Sequence, residues 1–318
     1  MALVFPKKQR AVLGVDLNAA SVNLVELSRR KTGFYLKGFA KIPLPPDAIV
    51  AHTIQDSAAV SAALKLALTE VQTSTTHAAI ALPATLVISK TLQVDATLRD
   101  EELEAYMQLE VAASIPYPVD EVYRDFCVLG LDEKDLSKAT ILLVAARRQS
   151  VDSRIRVLKD AGLHVAYVEV QSFVLERMVN YLNSLQFMGK TIAVVEINVP
   201  TVTFNVVHNG YAIYSREEPG INLGALEIES LLPLLRRFIQ WFLSSGYSES
   251  IDKILFMDAK GYLADGYDRM TESLSIPCTV MDPFQNMPLS ISPLPLPVVK
   301  SSLSIACGLA LRGIHDGD

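Results

Sequence analysis

Cysteine, histidine and tryptophan are scarce in this chain, and each scarcity removes a class of function. The three cysteines, Cys127, Cys278 and Cys307, lie far apart with no CxxC or metal-ligand spacing. That excludes a disulfide-stapled secreted framework and fits a reducing compartment. The five histidines are equally dispersed, so no zinc site is expected. Trp241 is the single tryptophan and the other aromatics are scattered, which leaves no platform for stacking bases. A formal net charge of −6 argues in the same direction, against a nucleic-acid partner. Long apolar runs are missing too: the longest, Ala139 to Ala146, falls far short of the roughly 20 residues that cross a bilayer. The opening Met1–Arg10 carries Lys7, Lys8 and Arg10 after a short apolar patch and lacks the form of a signal peptide. It reads as a frayed basic tail in preference to a membrane-brushing segment, and the expected location is the cytoplasm.

What the chain does hold is length and an internal echo. At 318 residues, half hydrophobic and a fifth charged, it is expected to form a globular protein of two lobes. Gly14-Val-Asp16-Leu-Asn18-Ala-Ala-Ser21-Val-Asn23-Leu-Val25 returns as Val194-Val-Glu196-Ile-Asn198-Val-Pro-Thr201-Val-Thr203-Phe-Asn205. Each copy reads strand, acid, Asn, two turn residues, hydroxyl, then a second strand of period-2 alternation. Asn tolerates positive φ, so Asn18 and Asn198 are each expected to supply that conformation to a tight hairpin. Two such hairpins in one register, 180 residues apart, point to duplication.

The segments between them fit two α/β halves. Gly33 to Ala40 is a third strand. Ser57 is expected to cap a helix bearing Val60, Leu64, Ala67, Leu68 and Val71 on one face, and His77 to Leu82 forms the next strand. Residues 84–148 read as a compact insertion of a strand, a helix and two strands. Thr97 to Asp100 resembles a capping box, the helix carries Leu103, Tyr106, Met107 and Val111, and Ile115-Pro-Tyr-Pro118 stops it. A helix stopped by Gly162, a strand and a helix to Leu182 complete the first half. In the second, Gly210 turns a hairpin, and a helix over about 225–243 is expected to be interrupted or kinked at Pro233. Its apolar residues read as core in preference to a self-association face, which remains open. Five prolines between Pro283 and Pro297 predict an irregular segment, and Ile305 to Leu311 a closing helix.

Taken in order, these segments resemble the PilM family of type IV pilus assembly proteins, relatives of the division protein FtsA. The resemblance runs through Leu13 to Leu27, Pro43-Leu-Pro-Pro46, Ile88 to Thr91 and Glu110 with Ile115 to Pro118. It continues through Glu121 to Phe126, Val168 to Ser172, Asp282 to Met287 and Ala306 to Leu311. It implies an α/β fold of duplicated actin-like (ribonuclease H-like) lobes with a small α+β subdomain inserted in the first lobe. The boundaries would be 11–83 plus 149–188 for the first lobe and 84–148 for the insertion. The second lobe would span 189–318, with a shortened outer subdomain around 221–275. It also implies a cytoplasmic scaffold, peripheral to the inner membrane, that binds the N-terminal tail of a PilN-like protein. PilO- and PilP-like proteins and the pilus motor would be reached through that contact. A type II secretion component of similar fold ranks below this, since such proteins continue into a membrane-spanning helix.

Many relatives bind ATP with Mg²⁺ between the lobes. The resemblance would place Asp16 and Glu196 at the metal, with Asn18, Ser21, Asn198, Thr201 and Gly261 around the phosphates and adenosine. The departures weigh against it. Asn18 and Asn198 replace glycines, Pro200 removes a donor, Asn23 is neutral where relatives are basic, and Gly261 is the one glycine left of a glycine-rich loop. Hairpin building is therefore the favoured role of these residues, no cofactor is expected, and the alternative is an ATP-binding switch or ATPase of the same machine. For the partner groove the resemblance points to the insertion, namely Leu103, Met107, Glu110, Ile115, Pro116, Tyr117 and Pro118. Against this stands packing of Ile115 and Tyr117 within the insertion's own core, and local pairing of Glu110.

Overall fold

The computed structural model describes residues 11–30, 33–132, 135–182, 189–198, 201–219, 228–247, 249–258, 261, 263, 266–287 and 300–315. The chain opens with strands β1 (Leu13–Leu17), β2 (Ser21–Arg30) and β3 (Gly33–Pro43), then a small hairpin, β4 (Ile49–Val50) and β5 (Thr53–Ile54). Helix α1 (Ser57–Val71) and strand β6 (His77–Leu82) follow. Next come β7 (Val87–Asp95), α2 (Asp100–Ser114), β8 (Val122–Leu131) and β9 (Lys138–Arg147). Helix α3 (Arg148–Asp160), β10 (His164–Val170) and α4 (Gln171–Leu182) precede β11 (Thr191–Asn198), β12 (Thr201–His208) and β13 (Tyr211–Pro219). The chain then forms α5 (Ile228–Ser244), β14 (Lys253–Asp258), α6 (Tyr267–Leu274), β15 (Cys278–Val280) and α7 (Ser304–His315).

Two five-stranded sheets share one topology. The first is ordered β10-β6-β1-β2-β3 and the second β15-β14-β11-β12-β13. In each, three consecutive strands pair antiparallel and two more add in parallel beside the first of them. Even the registers agree, with Asp16 opposite Asn23 and Glu196 opposite Thr203. Both faces of the first sheet are covered, so β2 needs apolar side chains on both. Val22 and Leu24 pack in the core with α1 and α3, while Val25 and Leu27 pack with α4 and α7.

Helices α4 and α7 tie the halves together. Val174, Leu175 and Met178 of α4 share a core with Val194 and Val207 of the second sheet. Helix α7, from the far end of the chain, lies against β1, β2 and β6 of the first sheet and against α4. Residues 304–313 thus pack on the sheet built by the opening residues, although the sequence grouped them with 189–318. The third sheet, β7-β9-β8, is separate. Its one covered face packs Val94, Ile141 and Leu143 against Leu103, Met107 and Val111 of α2 in a core of its own.

Several local expectations are corrected. The α1 cap is Asp56, whose carboxylate accepts the Ala59 N–H at 2.9 Å, and Ser57 is the first helical residue. At α2 the back-reaching acid is Glu102, which accepts the Arg99 N–H at 3.0 Å, while the Thr97 N–H and hydroxyl are both held by Asp95. Pro233 lies inside α5 without ending it. A proline in a helix costs about 3 kcal/mol, whereas each large apolar side chain buried gains about 1.5–3 kcal/mol. Leu231, Leu235, Phe238 and Phe242 are all buried against the second sheet, so packing wins. That also places this face in the core. Most of the proline-rich stretch, 288–299, lies outside the described residues, as does Pro200.

Candidate functional site

The β1–β2 and β11–β12 hairpins bring Asp16 and Glu196 to one cleft, close enough for the Asp16 charge to act on Glu196. Neither turn uses the expected device, because the positive-φ residues do not include Asn18 or Asn198. Instead Asn18 folds its amide back over its own loop. Its Oδ1 accepts the N–H groups of Ala20 and Ser21, both at 3.0 Å, and its Nδ2 donates to Asp16 at 2.9 Å. A side chain that satisfies the turn's donors itself has no need of a left-handed backbone. Asn198 likewise donates to Glu196 at 2.6 Å.

These bonds decide what the cleft can hold. A phosphate loop works by presenting free backbone N–H groups, and those of Ala20 and Ser21 are already occupied. The hydroxyls are turned inward as well: Ser21 donates to Asn23 Oδ1 at 3.0 Å, and Thr201 to the Asn198 carbonyl at 2.9 Å. Buried Asn23 donates to both Asp16 and the Ser302 carbonyl. Burial pushes the Asp16 carboxyl up, opposed by the amides of Asn23 and Asn18 and the charges of Arg154 and Lys41. Burial, then the Asp16 charge, pushes Glu196 up to about 8, so it holds its proton at neutral pH. Gln171, at the start of α4, also donates to Glu196. Gly261 adopts a φ of +67° in the turn after β14, where Asp258 is spent on the Leu263 N–H at 2.8 Å. A protonated acid, an acid wrapped by two amides and occupied loop donors do not fit a nucleotide with its metal ion.

A second concavity lies where the third sheet meets the first half. A cavity of about 280 Å³ opens between the β4–β5 hairpin, the start of β7, the end of β9 and α3. His52, Thr53 and Ile54 form one wall, Ser150 and Ser153 another, and Ile115, Tyr117 and Arg147 the rim beside the third sheet. Two stacked pairs stiffen the junction, with the Arg147 guanidinium 5.1 Å from the Tyr117 ring centre and that of Arg148 4.3 Å from Tyr123. Buried Arg154 braces the floor, donating to the His52 carbonyl at 2.7 Å and the Ser150 carbonyl at 2.9 Å.

Of the residues assigned by sequence to a partner groove, the structure brings Ile115 and Tyr117 to this cavity and leaves Pro116 and Pro118 exposed beside it. Leu103 and Met107 are corrected: both are sealed in the α2 core and present nothing to a partner. Glu110 pairs locally with Lys90 and Ser114. Sequence reasoning missed His52, Ser150, Ser153, Arg154 and Gln171. Only Gln171 carried a signal, since it lies in the matched Val168–Ser172 segment.

The twin sheets, the paired hairpins and the cleft between them define an α/β protein of actin-like fold. Of this chain, residues 14–223 and 227–314 match the family model described as type IV pilus assembly protein PilM, and the chain belongs to that family. Among solved structures it is similar to one titled a PilM–PilN type IV pilus biogenesis complex. The TM-score is 0.79 at 20% identity, covering 97% of this chain and 99% of that one. The ethanolamine utilization protein EutJ from Carboxydothermus hydrogenoformans matches at a TM-score of 0.50 and 11% identity, over 94% of this chain and 89% of that one. The family is one of type IV pilus assembly proteins.

Proposed function

We propose that this chain is a scaffold of the type IV pilus assembly platform that holds the N-terminal tail of a PilN-like inner-membrane protein in the cavity between the third sheet and the first half. The observation that carries this reading is the cavity itself, which has room for a few side chains and is rimmed by Ile115, Tyr117 and Arg147. The solved relative is titled as a complex with PilN, and its chain is matched over nearly its whole length. In this reading residues 11–83 with 149–188 form a first lobe, 84–148 an insertion, and 189–318 a duplicate lobe with a shortened outer part around 221–275. The protein sits in the cytoplasm, peripheral to the inner membrane through its partner. Among the described residues no helix is long and apolar enough to cross a membrane. Contact with PilO- and PilP-like proteins and with the motor follows from the tail.

Calorimetry with the synthetic N-terminal tail of the PilN-like protein tests the docking. Tyr117→Ala is expected to weaken the tail about tenfold, roughly the 1.4 kcal/mol lost with one aromatic contact. Ser153→Trp, which fills the cavity, is expected to abolish binding while the circular dichroism spectrum stays that of the parent. Undiminished affinity in both variants would remove the cavity from consideration.

A second reading, an ATP-binding switch, draws on the facing acids at equivalent registers. Fluorescent ATP with Mg²⁺ separates the two. The expected result is no saturation in the micromolar range, and saturable binding lost on Asp16→Ala would establish the switch instead.

A further inference from the structure

We propose that the β4–β5 hairpin is a relay, so that the His52–Glu217 contact between the two halves and occupancy of the cavity stabilise one another. The inference rests on the docking reading above and adds its regulation. His52 is shared by both places. Its carbonyl is gripped by Arg154, and its residue lines the cavity beside Thr53 and Ile54. Its ring reaches the second sheet, where the Nε2–H donates to Glu217 Oε2 at 2.8 Å and lies 3.0 Å from Oε1. Glu217 sits on β13, and its charge adds to the upward push on Glu196 in the cleft. One short hairpin thus touches the cavity, the buried arginine and the opposite half.

The hairpin's backbone explains why such a contact matters. Strands of two residues each are joined by Ala51 and His52, with φ values of +45° and +62°. Neither is glycine, and left-handed backbone is uncommon at other residues, at Ala51 above all, so it persists where surroundings hold it. Here two restraints hold it from opposite sides, Arg154 from below and Glu217 from across the cleft. Releasing the Glu217 restraint lets the turn relax and deforms the cavity wall. By linkage, a ligand that presses on Thr53 and Ile54 and fixes the wall must strengthen the His52–Glu217 contact by the same factor.

The test measures both directions on the full chain. Spin labels are placed through Leu66→Cys and Leu243→Cys, both exposed sites, in a Cys127→Ser background whose two other cysteines are buried. Glu217→Ala is expected to broaden the distance distribution between the labels and to weaken the synthetic PilN-like tail about fivefold or more, the usual lower range of coupling. Addition of the tail to the parent is expected to narrow that distribution. Glu218→Ala, which removes pairings to Arg216 and Arg237 within its own half, is the control and should do neither. A tail bound equally by parent and Glu217→Ala, or one that leaves the distances unchanged, overturns the relay alone. A parent that binds no tail overturns the docking reading and the relay together.

Discussion

Gly14→Ala is expected to cost about 3 kcal/mol or more in urea unfolding, at or beyond the top of the usual range for overpacking. A Cβ on Gly14 would stand 1.8 Å from the Ala306 carbonyl oxygen and 2.6 Å from the Ala310 nitrogen. Both are main-chain atoms of α7, so no rotamer change relieves the contact and the helix itself must move. Helix α7 cannot move alone, because Gly308 lets it pack tightly on α4 as well. A Cβ there would meet the side chains of Val174 and Met178 at 2.6 and 2.8 Å. Side chains yield more readily than backbone, and Gly308→Ala is expected to lose less, about 1–2 kcal/mol. A Gly14→Ala protein within 1 kcal/mol of the parent would show that α7 does not lie on β1.

The consequence reaches function because α4 and α7 are the shared core of both halves. On the docking reading proposed above, a scaffold that responds to a tail's arrival needs its two halves to act as one body. The α4–α7 pair supplies a rigid joint at the base, and the contact of His52 with Glu217 supplies a second, breakable one at the rim. Substitutions at the base should therefore act on stability, and those at the rim on affinity with stability nearly unchanged.

Much of the architecture was legible because hairpins announce themselves by period and spacing. Alternation in Val22 and Leu24, with its counterpart in Val202 and Phe204, marks the paired strands, and the shared register 180 residues apart marks their equivalence. The mechanism of the turns was hidden. Asn18 is legible as the turn residue, yet residue type alone does not say whether an Asn lends its backbone or its side chain. Gly14 illustrates a second limit, since it reads as part of the strand that opens the repeat while its demand comes from a helix almost 300 positions later. Leu103 and Met107 show a third, because an apolar helix face looks alike whether it meets its own sheet or a visitor. His52 had no signature at all. Two-residue strands leave no period, and the left-handed φ at Ala51 runs against its residue type.

Stability is expected to fall as pH rises from about 5 to 9, and Glu196→Gln is expected to remove most of that fall. Burial and the nearby Asp16 charge raise the Glu196 carboxyl from an ordinary 4.5 to about 8 in the folded chain. Between those values the native state holds a proton that the unfolded chain has released, so each added pH unit favours unfolding. The stabilisation is fully present below about 4.5 and lost as pH climbs through 8. Its full size is of order 3–5 kcal/mol, since one unit of displacement corresponds to about 1.4 kcal/mol. Asp16 and Glu176, both raised chiefly by burial, add to the slope with the same sign. The carboxylates displaced downward, such as Asp95 and Glu102, are exposed and act only at acid pH. Asn198 and Gln171 donate to separate Glu196 oxygens, so Gln at 196 keeps an oxygen for one of the two amides, gives up the other bond at every pH, and has no proton to lose. Urea titrations of both proteins at pH 5.5 and 9 should show the variant weaker in acid by about 1 kcal/mol, the size of one hydrogen bond, and a clear advantage for it in base. Parallel profiles would mean that Glu196 is already ionised in the folded chain, in which case the cleft could offer a metal ion two charged carboxylates and the case against a nucleotide would lose its strongest electrostatic support.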